Sequence, residues 1–292
     1  MSVCVQCPRQ CGVDRETGLG FCRVPEAPMV ARAAAHFGEE PCISGTRGSG
    51  TVFFSGCNLR CVFCQNHAIS RGQAGKPLSV PALRNVLLRL RDTGVHNINL
   101  VTPSHYAHAI AQALDGLDLG IPVVWNSSGY DSVETLRMLD GLIQVYLPDF
   151  KYAAPDLAQR YSAAPDYPEI ALAALTEMYR QTGPYELDGD GILRRGVLVR
   201  HLILPRRPKN TRGVIDLVAQ TLPQGAFLFS LMSQYTPMPG LENFPELQET
   251  VSPALAAFCY DYMVRRGITD GYCQDPESAT DEMIPDFDGA GI

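Results

Sequence analysis

Positive charge is in short supply. Lys and Arg number 24 against 31 Asp and Glu, a net charge of −7 over 292 residues. A nucleic-acid groove needs clustered cations to offset phosphates, so that class is excluded as the main function. The short basic spot Arg206-Arg207 with Lys209 does not change this. Long apolar runs are missing too, and no membrane-spanning helix is expected. The opening Met1-Ser2-Val3-Cys4 has neither the basic region nor the apolar core of a signal peptide. No internal repeat recurs at a fixed period. Cysteine, by contrast, is plentiful, with ten residues. Seven of them stand at metal-ligand spacings, so a reduced, cytoplasmic, metal-binding protein is expected rather than a disulfide-stapled one.

Hydrophobic residues make up 46% of the chain, enough for a sizeable core. Runs rich in Val, Ile, Leu and Phe at 51–55, 97–101, 122–127, 142–150, 197–204, 226–233 and 270–274 show little alternation, as strands buried on both faces should. Helical patterns fill the gaps. Ser79 can cap a helix carrying Leu83, Val86, Leu87 and Leu90, and Ser252-Pro253 opens another. Further helices are expected around Ile110, from near Asp131, over 168–182 and over 210–222. Six strand–helix units imply a parallel sheet with right-handed crossovers. The expected fold class is α/β: a partial (β/α)6 parallel barrel over 51–274. A cysteine-rich extension and linker (1–50) precede it, and an acidic tail (275–292) follows, expected to be extended and without chemistry. Gly189-Asp190-Gly191 reads as a hairpin turn inserted before the fifth main strand.

Cys57, Cys61 and Cys64 form Cys-x3-Cys-x2-Cys directly after the first predicted strand. A four-iron cluster usually takes four thiolates, so three in one loop leave an iron open for a substrate or cofactor. Zinc would want a fourth ligand, which this loop does not offer. Cys4, Cys7, Cys11 and Cys22 form a second set, Cys-x2-Cys-x3-Cys-x10-Cys. Four thiolates close a metal site, and Gly12, Gly18 and Gly20 permit the turns that wrap it. Tetrahedral zinc and a second iron–sulfur cluster both fit here. Cys42, Cys259 and Cys273 have no partners at ligand spacing, and Cys259 reads as a small core residue.

Function gathers at the C-terminal ends of strands in parallel α/β barrels. Those ends carry Thr102-Pro103-Ser104-His105, Asn126-Ser127-Ser128, Asp149-Phe150-Lys151, Arg200-His201 and Ser233-Gln234-Tyr235. Arg200 and His201 are neighbours on one strand, so one should face the barrel interior and the other the helix layer.

The three-cysteine loop resembles that of the radical SAM superfamily, as does Phe63 before the third cysteine. Asp149-x-Lys151 and the run 199–205 are similar to the branch that activates glycyl radical enzymes. The segments 97–103 and 230–235 resemble a subgroup similar to pyruvate formate-lyase-activating enzyme. The resemblance covers nearly the whole chain. It implies a [4Fe-4S] cluster on Cys57, Cys61 and Cys64, with S-adenosylmethionine (SAM) on the open iron. It also implies reductive cleavage to a 5′-deoxyadenosyl radical that abstracts hydrogen, and an external electron donor of flavodoxin or ferredoxin type. Phe63 is then expected near the adenine, Asp149 at the amino group, Lys151 or Arg200 at the carboxylate, and Asn126 and Ser127 at the ribose or methionine part. The hydrogen donor is either a glycyl radical enzyme or a small molecule or peptide. A non-catalytic iron–sulfur or zinc protein is the reading of another class. No catalytic residue is singled out. One departure stands out: a Gly-Gly-Glu motif after the second strand is typical of activating enzymes, and Val101-Thr102-Pro103-Ser104-His105 offers no carboxylate there.

Overall fold

The structure, a computed structural model, describes residues 3–72, 74–274 and 285–292. Residues 3–28 are turns and bends without helix or strand. Then come β1 (Met29–His36), the single turn α1 (Pro41–Ser44), β2 (Ser49–Phe54), the single turn α2 (His67–Ser70) and the two-residue β3 (Lys76–Pro77). From α3 (Val80–Asp92) the chain alternates through β4 (Ile98–Val101), α4 (Ala107–Leu114), β5 (Val123–Ser127), α5 (Val133–Met138) and β6 (Val145–Pro148). Two helices, α6 (Pro155–Ser162) and α7 (Tyr167–Thr182), precede β7 (Glu186–Leu187) and the long β8 (Leu193–Leu202). The chain continues as α8 (Pro208–Thr221), β9 (Leu228–Met232), α9 (Pro253–Arg265) and β10 (Gly271–Cys273).

The strand order is β10-β9-β8-β6-β5-β4-β2-β1-β3, with β7 paired to β8 alone. The seven strands from β2 to β10 on this path run parallel, while β1 and β3 add antiparallel at one edge. The fold is α/β, a partial barrel that does not close. All seven strands read from apolar runs are present, and β7 with β8 forms the expected hairpin. Ser79 and Ser252 cap α3 and α9 by accepting from the Ala82 and Leu255 N–H groups. Among the described residues no helix is long and apolar enough to cross a membrane.

Alternation along the strands decides what faces inward. Val52, Leu100, Trp125, Tyr146, Val199 and Phe229 pack with the helices in the main core. Their neighbours Val124, Val145, Leu147, Leu198 and Leu228 face the other way and enclose Cys42 and Ile43 of α1. The interior is therefore plugged by the chain's own segment before β2. Residues 29–50, grouped by sequence with the extension, supply a sheet strand and this plug. Of the acidic tail, 275–284 lie outside the described residues. Residues 285–292 dock on β1 and β2: the Phe287 ring meets Phe53 of β2 at 5.5 Å, Asp288 pairs with Arg32 at 2.9 Å, and the Ala33 N–H donates to Ala290 O at 2.9 Å.

Candidate functional site

Strand β2 delivers the chain into the three-cysteine loop through Gly56. A Cβ there would stand 2.7 Å from the Cys22 carbonyl oxygen and its φ is +80°, so the close approach admits only glycine. Cys57 and Cys61 are buried and Cys64 is half-buried. Each sulfur accepts hydrogen bonds. Leu59 N–H donates to Cys57 Sγ at 3.3 Å, Ser162 Oγ to Cys61 Sγ at 2.9 Å, and Ser70 Oγ to Cys64 Sγ at 3.4 Å. Burial pushes the Cys57 thiol up to about 12, and its neighbours Cys61 and Cys64 add to this. Such thiols stay protonated unless a metal supplies positive charge. Among the described residues no three His, Cys, Asp or Glu side chains gather tightly enough to hold a single ion. A four-iron cluster is a larger body, and three sulfurs spread over one loop and already hydrogen-bonded fit it.

The loop opens on a cavity of about 270 Å³. Cys57, Cys61, Phe63 and Cys64 line one side of it; Asn126, Ser127, Asp149, Lys151 and Arg200 line the strand ends. All the site residues expected from sequence around the three-cysteine loop thus face one space. The edge-on rings of Tyr152, Tyr161 and Tyr235 fix Phe63, with centroids 6.1 to 6.5 Å away. Ser127 is less free than its position suggests, since its hydroxyl donates to Asp131 Oδ2 at 2.5 Å.

Charges alternate across the floor. Lys151 Nζ donates to Asp149 Oδ2 at 2.6 Å, and Arg200 Nε donates to Asp149 Oδ1 at 3.1 Å. Arg200 Nη1 reaches Glu39 Oε2 at 3.0 Å, and Glu39 Oε1 accepts from Asn99 and Asn126 at 3.0 and 3.1 Å. Burial opposes every charge here. For Asp149 the two cations outweigh it and hold the carboxyl below its usual range; for Lys151 the Asp149 carboxylate outweighs it and holds the ammonium above. Glu40 goes the other way. It is buried beside Glu39, its carboxyl is pushed up by that burial, and among the described residues its Oε2 has no hydrogen-bond partner.

Glu39, Glu40 and Tyr167 have no signal in the sequence. The Tyr167 hydroxyl accepts from Lys151 N–H and lies 2.8 Å from both Ser128 O and Asp149 O, tying two strand ends together. His201 is the outward member of its pair: Nδ1 lies 2.6 Å from Phe150 O and Nε2 3.0 Å from Thr211 Oγ1, so it is a satisfied core histidine. His105 is also buried, away from the cavity, with Nε2 against Ser55 O at 2.8 Å. Thr102 lines the cavity with φ +59°.

The other four cysteines sit together. Cys7 and Cys22 are buried, Cys4 half-buried and Cys11 exposed. Burial raises Cys7 to about 12, and Cys22, Cys4 and Cys11 each add to it. A Cβ on Gly20 would meet Cys11 Sγ at 2.7 Å, so that glycine is required by the packing of the thiols themselves.

An open, mostly parallel α/β sheet with a three-thiol loop over its C-terminal edge defines a class, and comparison with known proteins names it. The radical SAM superfamily profile matches residues 51–184. The uncharacterized protein MJ0674 of Methanocaldococcus jannaschii is 30% identical over 261 residues, covering 85% of this chain and 70% of that one. The chain belongs to the radical SAM superfamily, whose members carry a [4Fe-4S] cluster and SAM and need an electron donor. In fold it is similar to Streptococcus suis SuiB. The structure of SuiB bound to S-adenosylmethionine superposes with a TM-score of 0.54 at 12% identity over 75% of this chain and 48% of SuiB. That of SuiB bound to the precursor peptide SuiA gives 0.52 at 11% identity over 75% and 46%. The chain spans about half the length of SuiB.

Proposed function

We propose that the protein binds SAM over the three-cysteine loop and cleaves it reductively to start a hydrogen abstraction. A [4Fe-4S] cluster bound there would, when reduced, supply the electron for cleaving SAM to methionine and a 5′-deoxyadenosyl radical. Cys57, Cys61 and Cys64 hold that cluster, and the hydrogen bonds from Leu59, Ser162 and Ser70 moderate the charge on their sulfurs. The observation that carries the reading is the alternating set Lys151, Asp149, Arg200 and Glu39 facing the same cavity as the loop. The amino-acid part of SAM is a zwitterion, and alternating fixed charges complement one. Lys151 and Arg200 take its carboxylate; Asp149 and Glu39 take its ammonium. Glu39 thereby supplies, from the plug, the carboxylate missing after β4. Phe63 lies along the adenine, and Asn126 and Ser127 face the remaining polar groups.

Among the described residues the sheet does not close between its β10 and β3 edges. A glycine of a partner enzyme and a free peptide or small molecule are the two hydrogen donors compatible with this reading. Protein prepared without oxygen, reduced and given SAM should release 5′-deoxyadenosine and methionine. S-adenosylhomocysteine as the product would replace radical cleavage with methyl transfer. Asp149→Asn and Lys151→Met should each weaken SAM binding at least about tenfold with iron content unchanged, because each removes a charge-assisted hydrogen bond. A glycine-centred EPR doublet in a co-expressed glycyl radical enzyme would select that target.

A further inference from the structure

Strands β8, β9 and β10 give the cavity a face that the proposed SAM contacts leave unused. Leu202 pairs with Met232 in register, and β10 continues the row, since Cys273 pairs with Leu231 and Gln274 follows it. Leu202, Leu204, Met232, Gln234 and Gln274 all line the cavity, as the alternation of strand side chains requires of residues two apart. Gln274 is held against β9 by its backbone. Its N–H donates to Leu231 O at 3.2 Å, and its carbonyl accepts from Ser233 Oγ at 2.7 Å.

Three side-chain oxygens around this face lack a donor. Among the described residues, Gln234 Oε1, Gln274 Oε1 and Glu40 Oε2 are buried without a hydrogen-bond partner. Glu40 lines the same cavity and is only 5% exposed. Arg200, Glu39 and Ser230 act on its carboxyl, and it acts in turn on Tyr272, so it stands against β8, β9 and β10. A buried acceptor is satisfied only when a donor meets it, so this face calls for N–H groups. Burial pushes the Glu40 carboxyl up, so the groups added here are neutral, unlike the Lys151, Asp149, Arg200 and Glu39 set. Each glutamine carries an NH2 donor beside its carbonyl, the complement of the C=O and N–H of a peptide bond. Leu202, Leu204 and Met232 border the two amides with apolar surface.

We infer that the β8–β10 face of the cavity is the substrate subsite and that it takes a peptide, with the side-chain amides of Gln234 and Gln274 binding its backbone and Leu202, Leu204 and Met232 packing an apolar side chain. This rests on the proposed SAM site and adds the chemical class of the hydrogen donor. A peptide N–H meets a glutamine carbonyl, and the peptide C=O meets a glutamine NH2. Glu40 Oε2 is left for a second N–H of the same chain. A substrate without amide donors leaves these oxygens unpaired and is rejected for that reason. A loop of a partner enzyme and a free peptide share this chemistry; a small molecule without amides does not.

The test uses the holoprotein prepared anaerobically with SAM. Two probes are compared: N-acetyl-leucyl-glycine N-methylamide, and its analogue built on glycolate, in which the central N–H is an ester oxygen. Saturation-transfer NMR titrations read the binding of each without turnover. Wild type should bind the amide at least about fivefold more tightly than the ester, the loss expected when a buried carbonyl keeps no donor. In the Gln234→Met/Gln274→Met variant, similar in size but without the amides, that preference should fall to about one. A ratio taken within one sample does not depend on how much of the variant is folded. SAM affinity is measured on the same samples, so a failed cofactor site and a failed peptide subsite are separate results. Equal binding of the two probes by wild type, or no saturation transfer to either at roughly 10 mM, overturns the subsite. A preference that survives in the double variant overturns it as well, and weakened SAM binding there would assign the glutamines to the adenine amino group instead.

Discussion

Glu39 shows what one side chain decides. Its carboxylate sits between two amide donors and a guanidinium, with a side chain only 10% exposed. A buried ion pair is costly to break because the remaining charge is left unpaired. Glu39→Gln keeps the shape but removes the charge facing Arg200, which still has Asp149. SAM should therefore bind at least about tenfold more weakly, with the iron content held, since one charge-assisted hydrogen bond to the ammonium is lost. Equilibrium binding of SAM to the anaerobic variant checks this, and wild-type affinity would remove Glu39 from the site. Gly129 is a second deciding residue. Its φ is +74°, and a Cβ would lie 2.1 Å from Asp149 O, so the turn after β5 and the placement of Asp149 depend on one missing side chain.

Among the elements, α1 carries the most consequence per residue. Cys42 and Ile43 are 1% and 0% exposed, although the helix has only one turn. They fill the lower interior, and the same segment lifts Glu39 and Glu40 to the cavity floor. Ile43→Ala should cost about 2–5 kcal/mol, because the sheet around it cannot collapse into the gap; a urea titration showing under about 1 kcal/mol would mean the interior is not sealed by α1. Sequence showed the parallel strands because each is a continuous apolar run, and the strand-end rule singled out Asn126, Asp149, Lys151 and Arg200, which line the cavity. It could not show α1, since four residues carry no period. Strand β1 is alanine-rich, with little β-propensity, and was folded into the extension. Helix α6 is short and polar, with an alanine at its N-cap, yet it brings Ser162 to Cys61. Glu39 stayed hidden for another reason: its role comes from a contact 161 residues away, which no local pattern encodes.

For the whole molecule, the buried ionisable groups combine into one expected pH response. His201 and His105 are fully enclosed, and burial lowers them from 6.5 to about 4 and about 3. Between those values and 6.5 the unfolded chain binds protons that the folded chain refuses, so stability rises with pH and is lost on acidification across that window. Glu246 acts in the same direction lower down. Burial would raise it, but hydrogen bonds from Arg160 and Tyr161 hold it near 2, so below about 4.5 the unfolded chain again binds the extra proton. Asp149, held down by Lys151 and Arg200 against its burial, adds to this acid limb. The histidine contribution is on the order of a few kcal/mol each, complete above about pH 6.5 and gone near pH 3. Urea midpoints measured from pH 7.5 to 4 should fall steadily. His201→Gln, which cannot titrate, should start lower at pH 7.5 because the Phe150 and Thr211 bonds are weakened, yet fall less steeply below 6.5. A slope equal to that of wild type in both that variant and His105→Gln would show that neither histidine is held neutral. His201 also holds the carbonyl of Phe150, next to Asp149, so the loss that weakens the core on acidification begins one residue from the cavity.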